Sequence, residues 1–260
     1  MVDIKLAKQE YIKYVNTFKI QNNEYLKNKI EHSMRVMELS TKIAKGLNLN
    51  QEEIEIATLI GLLHDIGRYE EVTIYKANGK KADHGDIGAE VLQKNNLIRN
   101  FIKENIYDNI IFTAIKNHNK FKPETGLTNK QQLFTNIIRD ADKLDIFYEC
   151  EEFYWANGKE ELEKEIITEQ DIMPILQHKN IEKKKNLKSP QITRTLTTMS
   201  FVFDINYKTS IKILKEADYI NKYLNKFQFK DTNTQELIKK VQEEINKYIN
   251  TRMIEWKSYS

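Results

Sequence analysis

The chain has 260 residues, 40% of them hydrophobic, and a net charge of +3 from 41 Lys+Arg against 38 Asp+Glu. So small a charge, spread along the chain, gives no general argument for a nucleic-acid binder, and nucleic acid is not an expected partner. No run approaches the roughly 18 uninterrupted apolar residues of a membrane span.

Gly and Pro are scarce, at 8 and 3, while Lys, Glu, Ile, Leu and Asn abound, which predicts an all-α protein. Cys150 is the one cysteine, so an intrachain disulfide is excluded and a reducing, cytoplasmic setting is expected. The N-terminus, with Asp3, Lys5, Lys8 and Glu10, has no apolar h-region, so no secretory signal is expected there.

Residues 3–20 read as an amphipathic helix packing through Ile4, Tyr11, Val15 and Phe18. Residues 22–45 read as a second, in which His32, Val36, Leu39 and Ile43 recur at helical spacing, so His32 points inward. Gly46 is a natural residue just past its end, and Asn50 before Gln51-Glu52-Glu53 is a helix start. The helix that follows is apolar nearly all round and ends on His64-Asp65-Ile66-Gly67-Arg68. Such a helix belongs in a core, and a charge at its end is costly unless paired or bound to a metal. Gly67 is expected to break it. The stretch reads as the floor of a metal site that handles an anion.

Residues 66–82 read as a polar, mobile loop, whose Lys76, Lys80 and Lys81 form either a lid or an ordinary exposed charged surface. Asp83-His84-Gly85-Asp86 opens a helix with Ile87, Val91 and Leu92 inward. Residues 105–118 form the next, and His118 follows Ile111, Ala114 and Ile115 on its apolar face. After a loop at 121–126 comes a helix over 130–149, where Asp142 shares a face with Ile138, Asp145 and Ile146. Beyond residue 150 the pattern predicts helical segments over 159–178 interrupted at Pro174, a basic run from Lys179 to Lys188, and amphipathic helices over 193–226 and 232–256. The expected division is a core over 1–150 and an extension over 151–260 packed on it.

Four of the five histidines, His32, His64, His84 and His118, thus lie on apolar faces or at helix starts, interleaved with Asp65 and Asp142. Any one alone is more often a satisfied core residue than a ligand; the set points to a shared metal site. His178 sits in a polar stretch and reads as a solvated surface residue. Met34, Met37, Tyr148, Phe153, Tyr154 and Trp155 read most simply as core or pocket wall.

The ordered set, with His64-Asp65-Ile66-Gly67-Arg68, Asp83-His84-Gly85, Lys116-Asn117-His118-Asn119 and Arg139-Asp140-Ala141-Asp142-Lys143, resembles the HD superfamily of metal-dependent phosphohydrolases over roughly residues 28–150. The resemblance implies a helical bundle with the site in its middle. It implies that His32, His64, Asp65 and Asp142 bind one metal, and that His84 and His118 place the chain with the two-metal members, in which the carboxylate matching Asp65 bridges the ions.

Imidazole and carboxylate ligands suit Mn, Fe, Co, Ni or Zn better than Mg. One or two such ions would make a hydroxide at neutral pH and stabilise charge on a phosphate under attack. The expected substrate is small and phosphorylated: a phosphomonoester, a phosphodiester or a nucleotide. Arg68 could hold its phosphate through a planar fork of donors. For Lys143 two readings stand open, a catalytic group facing the site or a salt bridge; Arg139 reads as structural, paired with Asp140 or Asp145. The Lys183-Lys184-Lys185 run reads as a solvated surface. Two other functions compete: a di-iron oxygenase, as some members of the superfamily are, and a non-catalytic regulatory module. The oligomeric state is not legible.

Overall fold

The computed structural model describes every residue except 19, 80, 154–157, 183–189 and 256–260; Lys80, Tyr154, Trp155, the Lys183-Lys184-Lys185 run and Trp256 therefore lie outside the described residues. All the described elements are helices, and none is long and apolar enough to cross a membrane. The chain divides into two compact units, Met1–Asp142 and Lys143–Ser260.

In the first unit, α1 (Ile4–Asn16) starts at Asp3, whose side chain caps the Leu6 N–H, and buries Ala7, Tyr11 and Val15. α2 (Glu24–Gly46) packs along α3 (Gln51–Leu63). The approach is close: a Cβ on Gly61 would lie 2.8 Å from the Met37 Cα. α3 begins with a capping box, Asn50 accepting from the Glu53 N–H at 2.9 Å while Glu53 reaches back to the Asn50 N–H. Every residue from Ile56 to Leu63 is buried, as an all-round apolar helix requires. The left-handed residue after α2 is Asn48, at φ 55°, rather than Gly46, which is the last helical residue.

The expected loop over 66–82 is largely helical. α4 (Gly67–Glu70) continues into a π-helical stretch, Glu71–Tyr75, and a 3₁₀ turn, Lys76–Asn78, ended by Gly79 at φ 67°. Its polar composition hides a buried face. The Tyr69 hydroxyl bonds that of Tyr11 at 3.0 Å, and the Glu71 carboxylate is neutralised by Arg68 at 2.7 Å and Lys76 at 3.2 Å. Nor does Gly67 break the chain's helical course. A Cβ there would fall 2.2 Å from the His84 carbonyl oxygen and 2.4 Å from the Gly88 nitrogen, so glycine allows α4 to lie against α5 (His84–Gln93). α5 packs in turn on α6 (Asp108–Asn117). α7 (Asn129–Glu152) carries Asp142.

In the second unit, α8 (Lys159–Leu162) and α9 (Glu169–Leu176) flank a break at 163–168, and Pro174 lies inside α9 rather than ending it. The single helix expected over 193–226 is three: α10 (Gln191–Met199), α11 (Lys208–Ala217) and α12 (Tyr219–Leu224). Extended backbone at Ile205 and Tyr207 and a left-handed Asp218 at φ 56° separate them. α13 (Thr232–Glu255) packs on α9, α11 and α12, burying Leu237, Val241 and Ile245. His178 is partly exposed, but its ring stacks on Phe203 and bonds Glu244 at 2.7 Å.

Candidate metal centre

Six residues expected to act together converge within the first unit. His32 lies on the buried face of α2. His64 and Asp65 stand where the helical backbone runs from α3 toward α4, tied by the Ile66 N–H to the Leu63 carbonyl and the Arg68 N–H to the Asp65 carbonyl. That continuous turn lets two adjacent residues face one point. His84 opens α5 behind Asp83, whose carboxylate accepts from the Gly85 and Asp86 N–H groups. His118 follows α6, and Asp142 comes from α7.

The Asp65 carboxylate divides the cluster. Its Oδ2 lies 3.7 Å from His32 Nε2 and 3.8 Å from His64 Nε2, and Asp142 Oδ1 completes that side at 3.2 Å from His32 and 3.8 Å from His64. Its Oδ1 lies 3.2 Å from His84 Nε2 and 3.6 Å from His118 Nε2. All four imidazoles are buried, so little solvent competes for these atoms.

Hydrogen bonding prepares the ring nitrogens as ligands. His64 Nδ1 donates to the Gly61 carbonyl at 2.8 Å and His118 Nδ1 to the Ile115 carbonyl at 2.6 Å, so in the neutral ring each Nε2 is a bare lone pair. Arg68 Nη2 donates to His84 Nε2 at 3.0 Å, which makes that nitrogen an acceptor too. Yet His84 and His118 hold these Nε2 atoms 3.1 Å apart. Two facing lone pairs at hydrogen-bond distance repel, and a cation shared by them removes the conflict. The donor set therefore fits a metal, and His32, His64 and Asp142, like His64, Asp65 and His118, bring their ligand atoms within 4.8 Å of one another.

Electrostatics keep the groups in ligand-competent form. Burial lowers the His64 imidazole to about 4 and holds His84 well below its usual range, so both are neutral near pH 7. Burial alone would raise the Asp65 carboxyl, but the charges of Lys29 and Arg68 outweigh it and hold Asp65 well below the ordinary value. For Asp142, burial is likewise outweighed, first by the hydrogen bond from His32.

The residues around the cluster divide by role. Arg68 is mostly buried, donates to Glu71 as well as His84, and leaves its buried Nε without a hydrogen-bond partner among the described residues. Lys143 belongs to the second unit, where its ammonium makes the salt bridge, to Asp204 at 2.9 Å. Arg139 is not defined by Asp140 or Asp145 alone. Its buried guanidinium donates to the carbonyls of Asn117 at 3.0 Å, His118 at 3.3 Å, Lys120 at 2.5 Å and Phe121 at 3.4 Å, capping the orphan carbonyls at the end of α6.

Two neighbours were not anticipated. Lys29 sets Nζ 3.0 Å from Asp65 Oδ2; its place one turn before His32 on the same face of α2 was the available signal. Asn119 bonds Asp83 at 2.9 Å and lies 3.2 Å from His84 Nδ1, and only its contiguity with His118 hinted at that.

Residues 30–146 match the family model of the HD domain, and the chain carries an HD domain over that segment. The HD domain is that of a superfamily of metal-dependent phosphohydrolases that bind divalent metals, and its fold is all-helical, as here. Ribonuclease Y of Mycoplasma mycoides is 31% identical over 117 residues, which are 45% of this chain and 23% of the relative. The chain thus spans less than a quarter of that relative's length. No solved structure gives a significant match.

Proposed function

We propose that the protein is a metal-dependent phosphohydrolase acting on a small phosphorylated substrate: a phosphomonoester, a phosphodiester or a nucleotide. The observation that carries this reading is the division of the Asp65 carboxylate, one oxygen toward His32 and His64 and the other toward His84 and His118. Such a set suits two divalent ions from among Mn, Fe, Co, Ni and Zn. When bound, they would acidify a water and offset charge on the phosphate.

The chain's own residues do the rest. His32, His64 and Asp142 would hold one ion, His84 and His118 the other, and Asp65 both. The carbonyls of Gly61 and Ile115 fix the ring orientations of His64 and His118, which keeps Nε2 as the ligating atom. Arg68, anchored on Glu71, offers an N–H fork to a phosphate oxygen. Lys143 is assigned no role toward the substrate, because its ammonium is engaged by Asp204. The likeness to a ribonuclease, whose substrate is a phosphodiester, supports the phosphoester class without choosing within it.

The test is hydrolysis of nitrophenyl phosphate and its diester with added Mn²⁺, Co²⁺ or Ni²⁺, using wild type, Asp65→Ala and Arg68→Ala, each checked for helical content by circular dichroism. Wild type is expected to turn over and Asp65→Ala to release no phosphate. Arg68→Ala is expected to lose roughly ten- to a hundredfold in kcat/KM, because a charge-assisted bond contributes about 1.5–3 kcal/mol. A wild type inactive on every phosphoester with every metal overturns the proposal. A folded Asp65→Ala with wild-type turnover removes Asp65 from its centre.

A further inference from the structure

Two cationic side chains enter the cluster, and they sit on opposite halves of one carboxylate. Lys29 places Nζ 3.0 Å from Asp65 Oδ2, the oxygen that faces His32 and His64. Arg68 places Nε 3.6 Å from Asp65 Oδ1 and Nη2 3.0 Å from His84 Nε2, on the side of His84 and His118. Both side chains are largely withdrawn from water, at 17% and 20% exposed.

We propose that Lys29 and Arg68 are built-in counter-cations: in the metal-free protein each occupies the electrostatic place of one divalent ion, and metal loading displaces both from Asp65 and His84. The inference rests on reading the cluster as a two-metal centre.

The reasoning is local. A buried carboxylate among neutral imidazoles is costly without a positive charge beside it, and these two side chains supply one on each side. An N–H of Arg68 takes the lone pair through which His84 would bind an ion. One lone pair cannot serve both, so Nη2 leaves His84 before an ion occupies that nitrogen. Glu71, at 2.7 Å from Nη1, gives the guanidinium an anchor about which to swing. Lys29 meets a similar conflict, since an ammonium and a divalent ion on one buried oxygen repel each other. Its unbranched stem lets the ammonium move while the methylenes stay packed. An occupant of this kind stabilises the empty site and weakens its grip on metal. A residue that merely orients Asp65 would strengthen that grip, so the two roles differ in sign.

The experiment is calorimetric titration of Mn²⁺ into chelator-stripped wild type, Lys29→Met and Lys29→Gln, alongside melting of each stripped and loaded protein. The variants are expected to bind Mn²⁺ about tenfold more tightly or better, since like charges a few ångströms apart in a protein interior shift an equilibrium at least that far. Stripped variants are expected to melt below stripped wild type, and Mn²⁺ to raise their Tm by more. Equal or weaker binding in folded variants overturns the inference while leaving the metal centre standing. A measurement on wild type decides the matter if the variants do not fold. The Lys29 ammonium, held by Asp65, is expected to give a protected ¹⁵N signal in the stripped protein and to lose it on Zn²⁺ loading; a signal that persists overturns the inference. A stripped wild type that binds neither Mn²⁺ nor Zn²⁺ overturns this inference together with the reading on which it rests.

Discussion

Replacing Asp65 by Asn changes one atom's chemistry and keeps the shape, which isolates the charge. That charge is the partner of Lys29 at 3.0 Å and lies beside Arg68 and His84. The attraction is strong enough to raise the Lys29 pKa although burial pulls it down. Removing one member of a buried pair strands the other, at a cost of about 3–5 kcal/mol, against about 0–1 kcal/mol for an exposed pair. At about 2–4 °C per kcal/mol for a chain of this size, Asp65→Asn is expected to lower the Tm by roughly 6–20 °C. Lys29→Met/Asp65→Asn is expected to recover most of that loss, because no orphan charge remains. The assay is thermal melting by circular dichroism in chelator, run as a double-mutant cycle. A single variant that melts with wild type, or a double variant no better than the single, would refute the account of Asp65 as a buried, charge-paired hub.

Three further outcomes follow from the same geometry. Burial lowers the His64 imidazole from 6.5 to about 4, so the fold disfavours its protonation; the stability is complete above pH 6.5 and is lost as pH falls toward 4, by about 3 kcal/mol. The urea midpoint of stripped protein at pH 7, 5.5 and 4 measures this, and a flat midpoint contradicts it. Gly67→Ala would set a Cβ 2.2 Å from the His84 carbonyl, and since both flanking contacts are backbone, α4 and α5 must part; a loss of at least about 1–3 kcal/mol is expected, with reduced Mn²⁺ stoichiometry, and an unchanged Tm would show the approach to be looser. Arg139→Met removes a charged donor from four carbonyls around His118; at least about 1.5–3 kcal/mol should be lost, read by urea titration together with metal binding, and a variant equal to wild type in both denies Arg139 a positioning role.

Helical phase is a local property, and what depended on it was legible in the chain. An apolar repeat at three and four residues turns His32, His118 and Asp142 toward the cluster, and Asn50 with Glu53 marks where α3 starts. The all-α class followed from the same periodicity and from scarce Gly and Pro. Tertiary structure decided what depends on partners distant in sequence. Residues 66–82 look like a loop because their buried face is polar, and Tyr69 and Glu71 become core residues only when Tyr11 and Arg68 meet them. Gly67 looks like a helix breaker until the His84 carbonyl is seen against it. Extended backbone at Ile205 and Tyr207 and a left-handed Asp218 are conformations that no apolar repeat records, so one expected helix became three. Which oxygen of Asp65 faces which histidines, and that Lys29 lies on one of them, are set by where α2 stands against α3 and α5 against α4. Periodicity gives the direction of a side chain from its own helix axis, whereas the distance between two ligand atoms depends on how the helices carrying them pack.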